Sequence, residues 1–520
     1  MTRVAVVGGG IAGLTAALRL AERRYEVTLY EQQPTLGGNL SSQKAPGDGP
    51  EDVYPHMYLN WYHNFWDLLG DVTNGKPIDE MFAARDSVKQ LSRGDYPNFK
   101  ALTNFYSYRY ALRNLFSGIL PPADEFLFVY ASVDLLATRL RSVLLDEVSV
   151  NGFLRSRPYI TERAAQAFDS WITRVWAVPS YLASAADYQT FLKHGFDEPV
   201  PSLRLVAGPA QDIVIAPLDA ALRKAGATIN TSTSVVSVAC TADTVDTIEV
   251  SQNGTVRTEA VDDLVVAVPP PALAQLIRAG PAGGRIIDAV PDLAEIDRLH
   301  TETIPIVHLY FKRRLSKIPP EPVGLVGARY GLAFTDISQS RPDISPNNDY
   351  TVLALSASDR YGLPGTGPEA NAMTMIRELA QYVTDFTVGT SWGDSADIDW
   401  MKTTYNDNLD TRLFINQTGS EQARPPTHFP HLGNLYFAGD FCRHDIGMSC
   451  IEAAVVSGLE AVRSVVDRRG VGKHVDIKKP KDPPLAFFAW LRAAWAPYAA
   501  AAKTWSSGSD MLGGATRRLR

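Results

Sequence analysis

"VAVVGGGIAGLTAALRLAERRYEVTLYEQ", residues 4–32, decides the architecture of the start of the chain. Val4 to Val7 form a short run of the kind that fills a buried strand, and Leu14 to Arg23 keep helical spacing with good helix formers. "YEVTLYE" then alternates as a second strand does, so the stretch reads as a βαβ unit. Gly8, Gly10 and Gly13 place GxGxxG after the first strand and at the mouth of the helix. Gly8 permits the tight turn, Gly10 lets the backbone approach a pyrophosphate, and Gly13 allows helix and strand to pack closely. The N–H groups at the helix start, Ile11 and Ala12, face the same phosphates along the helix dipole. Glu31 ends the second strand eighteen residues after Gly13, where a carboxylate can accept ribose hydroxyls. Gln32 and Gln33 follow it and no arginine is offered to a 2′-phosphate, which disfavours NADP.

At 520 residues the chain exceeds one simple core, and about 150 residues per domain gives two to four units. Cys240, Cys442 and Cys450 are the only cysteines, none in a CxxC or at metal-ligand spacing, so neither a disulfide framework nor a metal is expected. The first apolar run is too short for an export signal, and no run of about 18 apolar residues suggests a spanning helix. A cytoplasmic protein is the expectation, with no nucleic-acid partner. Charge is uneven: the last fifty residues carry +6 and the rest −13, an acidic body with a basic, tryptophan-bearing tail.

Residues 86–204 read as mostly helical, rich in Leu, Phe and Tyr. From 214 to 268 a helix is followed by strands, with "VDDLVVAVPPPAL" a buried strand ended by prolines. "ETIPIVHLYFKRRL" and "DYTVLALSAS" predict further strands. "NLYFAGDFCRHDIGMSCIEAAVVSGLEAVRSVVDRR" predicts a strand, a turn and a long helix.

The Gly-Gly of "LGGNLSS" (36–42) soon after the acid, together with "FAGD" followed by "EAAVVSG", resembles the amine oxidase and phytoene desaturase superfamily of FAD proteins. The resemblance implies a discontinuous, glutathione-reductase-type Rossmann-like α/β domain at 1–85, 205–290 and 425–470. It also implies an α+β substrate domain at 86–204 and 291–424, followed by a helical tail at 471–520. By resemblance Gly37 and Gly38 lie along the pyrophosphate and Val235 or Val236 passes the adenine. Gly439, Asp440 and the helix starting near Met448, with Ser449 and Ile451, cover the ribityl chain and the flavin edge. Asn39 stands where many members have arginine. No second GxGxxG follows a strand, so electrons are expected to leave to oxygen, a quinone or another external acceptor.

"DVYPHMYLNWYHN" (52–64) selects the branch. His56, Tyr62 and Asn64, followed by "FWDLLGDV", resemble a segment of the phytoene desaturase, ζ-carotene desaturase and hydroxysqualene dehydroxylase group, which has glycine where Tyr54 stands here. A core histidine and one bordering the flavin or substrate are both open for His56. His63 reads as structural, and the seven-residue spacing of the pair would suit one helical face. His56 and Tyr62 are the candidate catalytic residues. Desaturation by hydride transfer to flavin N5 needs mainly a dry apolar channel for a long isoprenoid or carotenoid-like substrate. A flavin amine oxidase releasing peroxide, with Lys312 as its lysine, is the alternative, and a non-catalytic prenyl-binding protein of the same fold is another. Within the tail, Phe487, Leu491, Trp495 and Tyr498 share a helical face bordered by Arg492 and Lys503, which predicts a membrane-surface anchor over residues 480–505. Pro497 is expected to kink or end that helix.

Overall fold

The computed structural model describes residues 1–46, 49–102, 113–139, 142–197, 202–241, 244–279 and 283–518, with the side chains of 142, 283–285 and 509–518 left aside. The predicted βαβ unit is β1 (Arg3–Val7), α1 (Ile11–Ala21) and β2 (Glu26–Tyr30). Three later strands, β3 (Thr228–Asn230), β4 (Asp263–Val266) and β5 (Leu435–Phe437), join them in one parallel sheet of order β3-β2-β1-β4-β5. Every strand of this sheet is parallel to its neighbours, with Val4 opposite Asp263 and Leu264 opposite Leu435. Such a sheet needs cover on both faces, and its central strands β1 and β4 are accordingly buried along Val4–Val7 and Asp263–Val266. One face takes α1 and the long helix Ile451–Arg469. The other takes an antiparallel meander (233–241, 244–252, 255–260) and the helix Pro270–Arg278.

Four helices besides α1 matter for the site: α2 (His63–Val72), α3 (Pro122–Ala137), α4 (Glu162–Trp176) and α5 (Ile451–Arg469). Gly458 lets α5 lie directly on α1, since a Cβ there would fall 2.6 Å from the Ala12 carbonyl oxygen. Buried Asp263 at the start of β4 holds the other end of α5 through Arg468 and Arg469, each at 2.8 Å.

The second unit is a seven-stranded mixed sheet. Its strands run 404–406, 306–310, 352–357, 332–336, 323–326, 88–92 and 100–102 in spatial order. The last two strands of that order, Val88–Ser92 and Lys100–Leu102, correct the mostly helical reading of 86–204. Among the described residues helices prevail from Pro122 to His194, and Val88–Ser92 is a strand because Val323–Val326 pairs with it in parallel.

The tail forms α6 (Leu485–Arg518), continuous through Pro497, and packs along α3. Phe488, Leu491, Trp495, Ala499 and Ser506 face the body. Phe488 meets Phe196 at 5.0 Å between ring centroids, Trp495 meets Phe126 at 5.4 Å, and Ser506 Oγ donates to Asp124 at 2.8 Å. Arg492 and Lys503, expected to reach toward lipid, bond Asp134 and the Ile160 carbonyl instead. The predicted stripe is therefore split, with Leu491 and Trp495 turned inward. Phe487, Trp490, Tyr498 and Trp505 form the outward strip, at spacings that share one helical face. Lys478 and Lys479 of the linker pair with Asp67 and Asp445, each at 2.7 Å, so part of the tail's basic charge is neutralised by the body. Among the described residues no helix is long and apolar enough to cross a membrane.

Candidate active site

A cavity of about 920 Å³ runs from the first glycine turn to the helical region over the second sheet. Gly8 has φ 106°, and a Cβ there would lie 2.2 Å from the Ala267 carbonyl oxygen, so only glycine makes this turn. Gly13 is not on the cavity wall; its missing Cβ, which would lie 2.0 Å from the Gly8 carbonyl oxygen, is what seats α1 against the turn. Gly10 differs from both. A Cβ on it would meet nothing within 4 Å, which leaves open space before the start of α1, where no side chain caps the N–H groups of Ile11 and Ala12. The segment holding Gly37 and Gly38 runs beside this turn, Gly37 N–H donating to the Gly9 carbonyl at 2.8 Å. Asn39 continues the wall, and its amide reaches the carbonyl of Arg412 at 3.5 Å.

Glu31 points into the same turn. Its carboxylate accepts from Gly9 N–H at 2.6 Å and from Gln33 N–H at 2.7 Å, while burial pushes its pKa up. A carboxylate has about four lone-pair sites, so acceptor capacity remains for a ribose hydroxyl. Gln32 lines the cavity next to it. Val235 and Val236 form an apolar edge nearby, on a strand whose register slips between Val235 and Ser237, so Val236 is the bulged residue facing the cavity.

At the middle of the cavity Gly439, Asp440, Met448, Ser449 and Ile451 meet. The helix expected near Met448 begins at Ile451, with Cys450 as N-cap accepting from Ala453 N–H at 3.4 Å. Met448 and Ser449 thus belong to the segment leading into it. Ser449 is clamped: its hydroxyl donates to Asp440 at 2.5 Å, its N–H donates to Asn416 Oδ1 at 2.6 Å, and its carbonyl accepts from Asn416 Nδ2 at 3.1 Å. The positive end of α5 faces the cavity here through Cys450 and Ile451. His444 and Asp445 form no dyad, since Asp445 pairs with Lys479 and His444 bonds the Asp440 carbonyl at 3.3 Å.

His56 and Tyr62 also line the cavity, between the clamp and the helical region. His56 Nδ1 lies 2.9 Å from the Tyr54 carbonyl, which can only accept, so Nδ1 carries the hydrogen and Nε2 keeps its lone pair. Desolvation beside the cavity drives the ring's pKa to about 4. Tyr62 is buried, bonded to Cys450 and held protonated by burial. His63 opens α2 and pairs with Asp197, so the two histidines sit on different elements and not on one helical face. Tyr54 bonds the Thr411 carbonyl at 2.5 Å, a contact glycine could not make. Lys312 is exposed at a strand end, away from the cavity.

The His56 value carries a stability prediction. Its folded pKa of about 4 lies below the ordinary 6.5, so the unfolded chain takes up the proton first and stability is lost as pH falls through that window. Between pH 7 and 4.5 this ring alone should remove about 2–3 kcal/mol. In His56→Gln that contribution should vanish, as measured by urea unfolding at both pH values.

Several wall residues come from segments with no local motif: Arg174 and Trp176 at the end of α4, and Arg412 and Asn416 before β5. Arg412 is held by the Thr301 carbonyl at 2.5 Å and the Thr301 hydroxyl at 3.0 Å.

The model of the family described as flavin containing amine oxidoreductase matches residues 11–466. The chain belongs to this family. It is similar to the carotenoid phi-ring synthase of Streptomyces griseus, with 25% identity over 499 residues that cover 90% of this chain and 88% of that one. A shorter match, 37% identity over 71 residues, 14% of each chain, links it to the zeta-carotene desaturase of a Synechocystis species. Among solved structures, cyclohexylamine oxidase from Brevibacterium oxydans superposes with a TM-score of 0.61 at 15% identity, covering 90% of this chain and 99% of that one. An oxidoreductase from Methanosarcina mazei gives the same TM-score at 14% identity, covering 88% and 99%. Membership of the family makes the chain a flavin-dependent oxidoreductase. The open space at Gly10, the carboxylate of Glu31 and the helix end at Cys450 and Ile451 suit a dinucleotide with an electron-accepting ring.

Proposed function

We propose that this is an FAD-dependent desaturase-type oxidoreductase acting on a long hydrophobic substrate of the isoprenoid or carotenoid class. The observation that carries the reading is the continuity of one cavity. It joins the glycine turn and Glu31 to the clamp at Ser449, then to walls built from His56, Tyr62, Ile304, Ile306 and Trp176. Among the described residues no lysine lines it, whereas an amine oxidase would want one beside the ring. Relatives named for carotenoid chemistry support the same class.

When bound, FAD would accept a hydride from a substrate carbon at N5. The chain's share is positional. The α5 helix end favours negative charge at the ring's far edge, the Asn416–Ser449–Asp440 clamp fixes that end, and the apolar walls exclude water. His56 Nε2 can take a hydrogen bond or a proton from the neighbouring carbon, though with a pKa of about 4 it is a weak base.

Anaerobic incubation of the holoprotein with linear and cyclic carotenes should bleach the flavin. Bleaching by amines alone, with peroxide released on admitting air, would overturn the reading. A colourless protein that binds prenyl groups would do so as well.

The outward aromatic strip of α6 supports a peripheral position on the membrane, where such a substrate dissolves. Replacing Phe487, Trp490, Tyr498 and Trp505 together by serine should weaken liposome sedimentation by at least about tenfold. Unaltered sedimentation of the variant would refute the anchor.

A further inference from the structure

The proposed channel contains a charge that a hydrocarbon has no use for. Arg174 stands in the last turn of α4 with 8% of its surface exposed, and it forms part of the cavity wall near Trp176, Ile304, Ile306 and Ser356. Its guanidinium makes one hydrogen bond, from Nη2 to the Thr335 hydroxyl at 3.1 Å, and Nε has no partner among the described residues. No carboxylate offsets it: desolvation alone acts on the group and draws its pKa down to about 10, so it stays charged at neutral pH. The other deeply buried arginines among the described residues are paired, Arg341 with Asp343 at 2.6 Å and Arg424 with Asp187. A buried cation without a counter-ion is costly, and the cost is lifted when a ligand brings the missing anion.

The chemistry of the group limits the ligand. Guanidinium presents a planar fork of donors that matches a carboxylate in two parallel hydrogen bonds. A single positive charge balances a monoanion, whereas a diphosphate would need further cations. The other arginine on the wall, Arg412, is held by Thr301.

We infer that the substrate is an apolar polyene or isoprenoid chain bearing one terminal carboxylate, and that Arg174 seats this head group. The inference rests on the cavity being the substrate channel. An anchored end would also select the reacting bond: a uniform chain can slide, but a chain tied at one end presents a fixed position to the flavin.

The test is a fluorescence titration of the flavin-loaded protein with cis-parinaric acid and with its methyl ester. The acid should bind at least about tenfold more tightly than the ester in the unaltered protein. Arg174→Met should bring the two within about twofold, while Arg174→Lys retains an intermediate preference. Dodecanoate should displace the probe at lower concentration than dodecyl phosphate; the reverse order would overturn the carboxylate in favour of a phosphate head group. Equal affinities of acid and ester in the unaltered protein, a comparison needing no variant, would overturn the inference and leave the apolar channel standing. A preference that survives in Arg174→Met would do the same. Failure of both ligands to bind would remove the proposed function along with it.

Discussion

A Gly10→Ala chain is expected to fold with an unchanged melting temperature and to bind FAD at least about a hundredfold more weakly. Gly10 has φ −73° and ψ 175°, an extended conformation open to any residue, and its missing Cβ has no neighbour within 4 Å. The methyl group would therefore occupy only the open space beside the N–H groups of Ile11 and Ala12, where the proposed cofactor's pyrophosphate is expected. Gly13→Ala should behave in the opposite way. There the methyl carbon would lie 2.0 Å from the Gly8 carbonyl oxygen and 3.1 Å from its carbon, both main-chain atoms of the turn itself. The expected cost is at least about 3 kcal/mol of stability, seen without any cofactor present. Thermal melts of the two apoproteins, followed by FAD titration, separate the roles. Normal FAD binding by the Gly10→Ala chain would show that the pyrophosphate lies elsewhere.

The second large effect is expected at Glu452, in the first turn of α5. It is fully buried and accepts Asn64 N–H at 2.9 Å, Asn64 Nδ2 at 2.6 Å and Phe65 N–H at 2.9 Å. One carboxylate thus ties the start of α2 to the helix end that faces the cavity. Glu452→Ala leaves three buried donors without an acceptor, for an expected loss of about 3–5 kcal/mol in chemical denaturation. Glu452→Gln can serve Asn64, but its amide N–H₂ opposes Phe65 N–H, and about 2 kcal/mol should go. Both should release flavin faster, because the segment carrying His56 and Tyr62 loses its tie to α5. Wild-type stability in Glu452→Ala would contradict the bonding described.

The parts of the fold legible in the sequence are those written in adjacent residues. The βαβ unit, the Gly-Gly segment and the strand-turn-helix near the end carry their own turn chemistry and periodicity, and each lies where the residues point. Val88–Ser92 was not legible as a strand, because it pairs with only three residues nearby, Lys100–Leu102, and enters the sheet through a strand more than two hundred positions away. The same holds for Arg174, Arg412 and Asn416, which reach the cavity only through tertiary packing. Arg174 did leave one trace, a lone cation in the apolar run "SWITRVWAV". In the tail, adjacent Phe487 and Phe488 offer two apolar faces, and only the surface of α3 decides which is buried. Glu452 could have been suspected from an acid beside the apolar run Ala453–Val456, but a first-turn acid is common for dipole reasons alone.

The parallel sheet has a consequence for how the molecule is made. β1 leaves the ribosome first, yet its neighbour β4 begins beside Asp262, 259 residues beyond Arg3, and β5 and the α5 helix end come later still. A nascent chain can form the glycine turn early, but that wall of the cavity is missing until residues 439–451 have emerged. Cofactor capture is then expected only after that segment has folded. Overproduced protein should accumulate as a flavin-poor, chaperone-dependent species whose yield responds to riboflavin supply after synthesis has stopped.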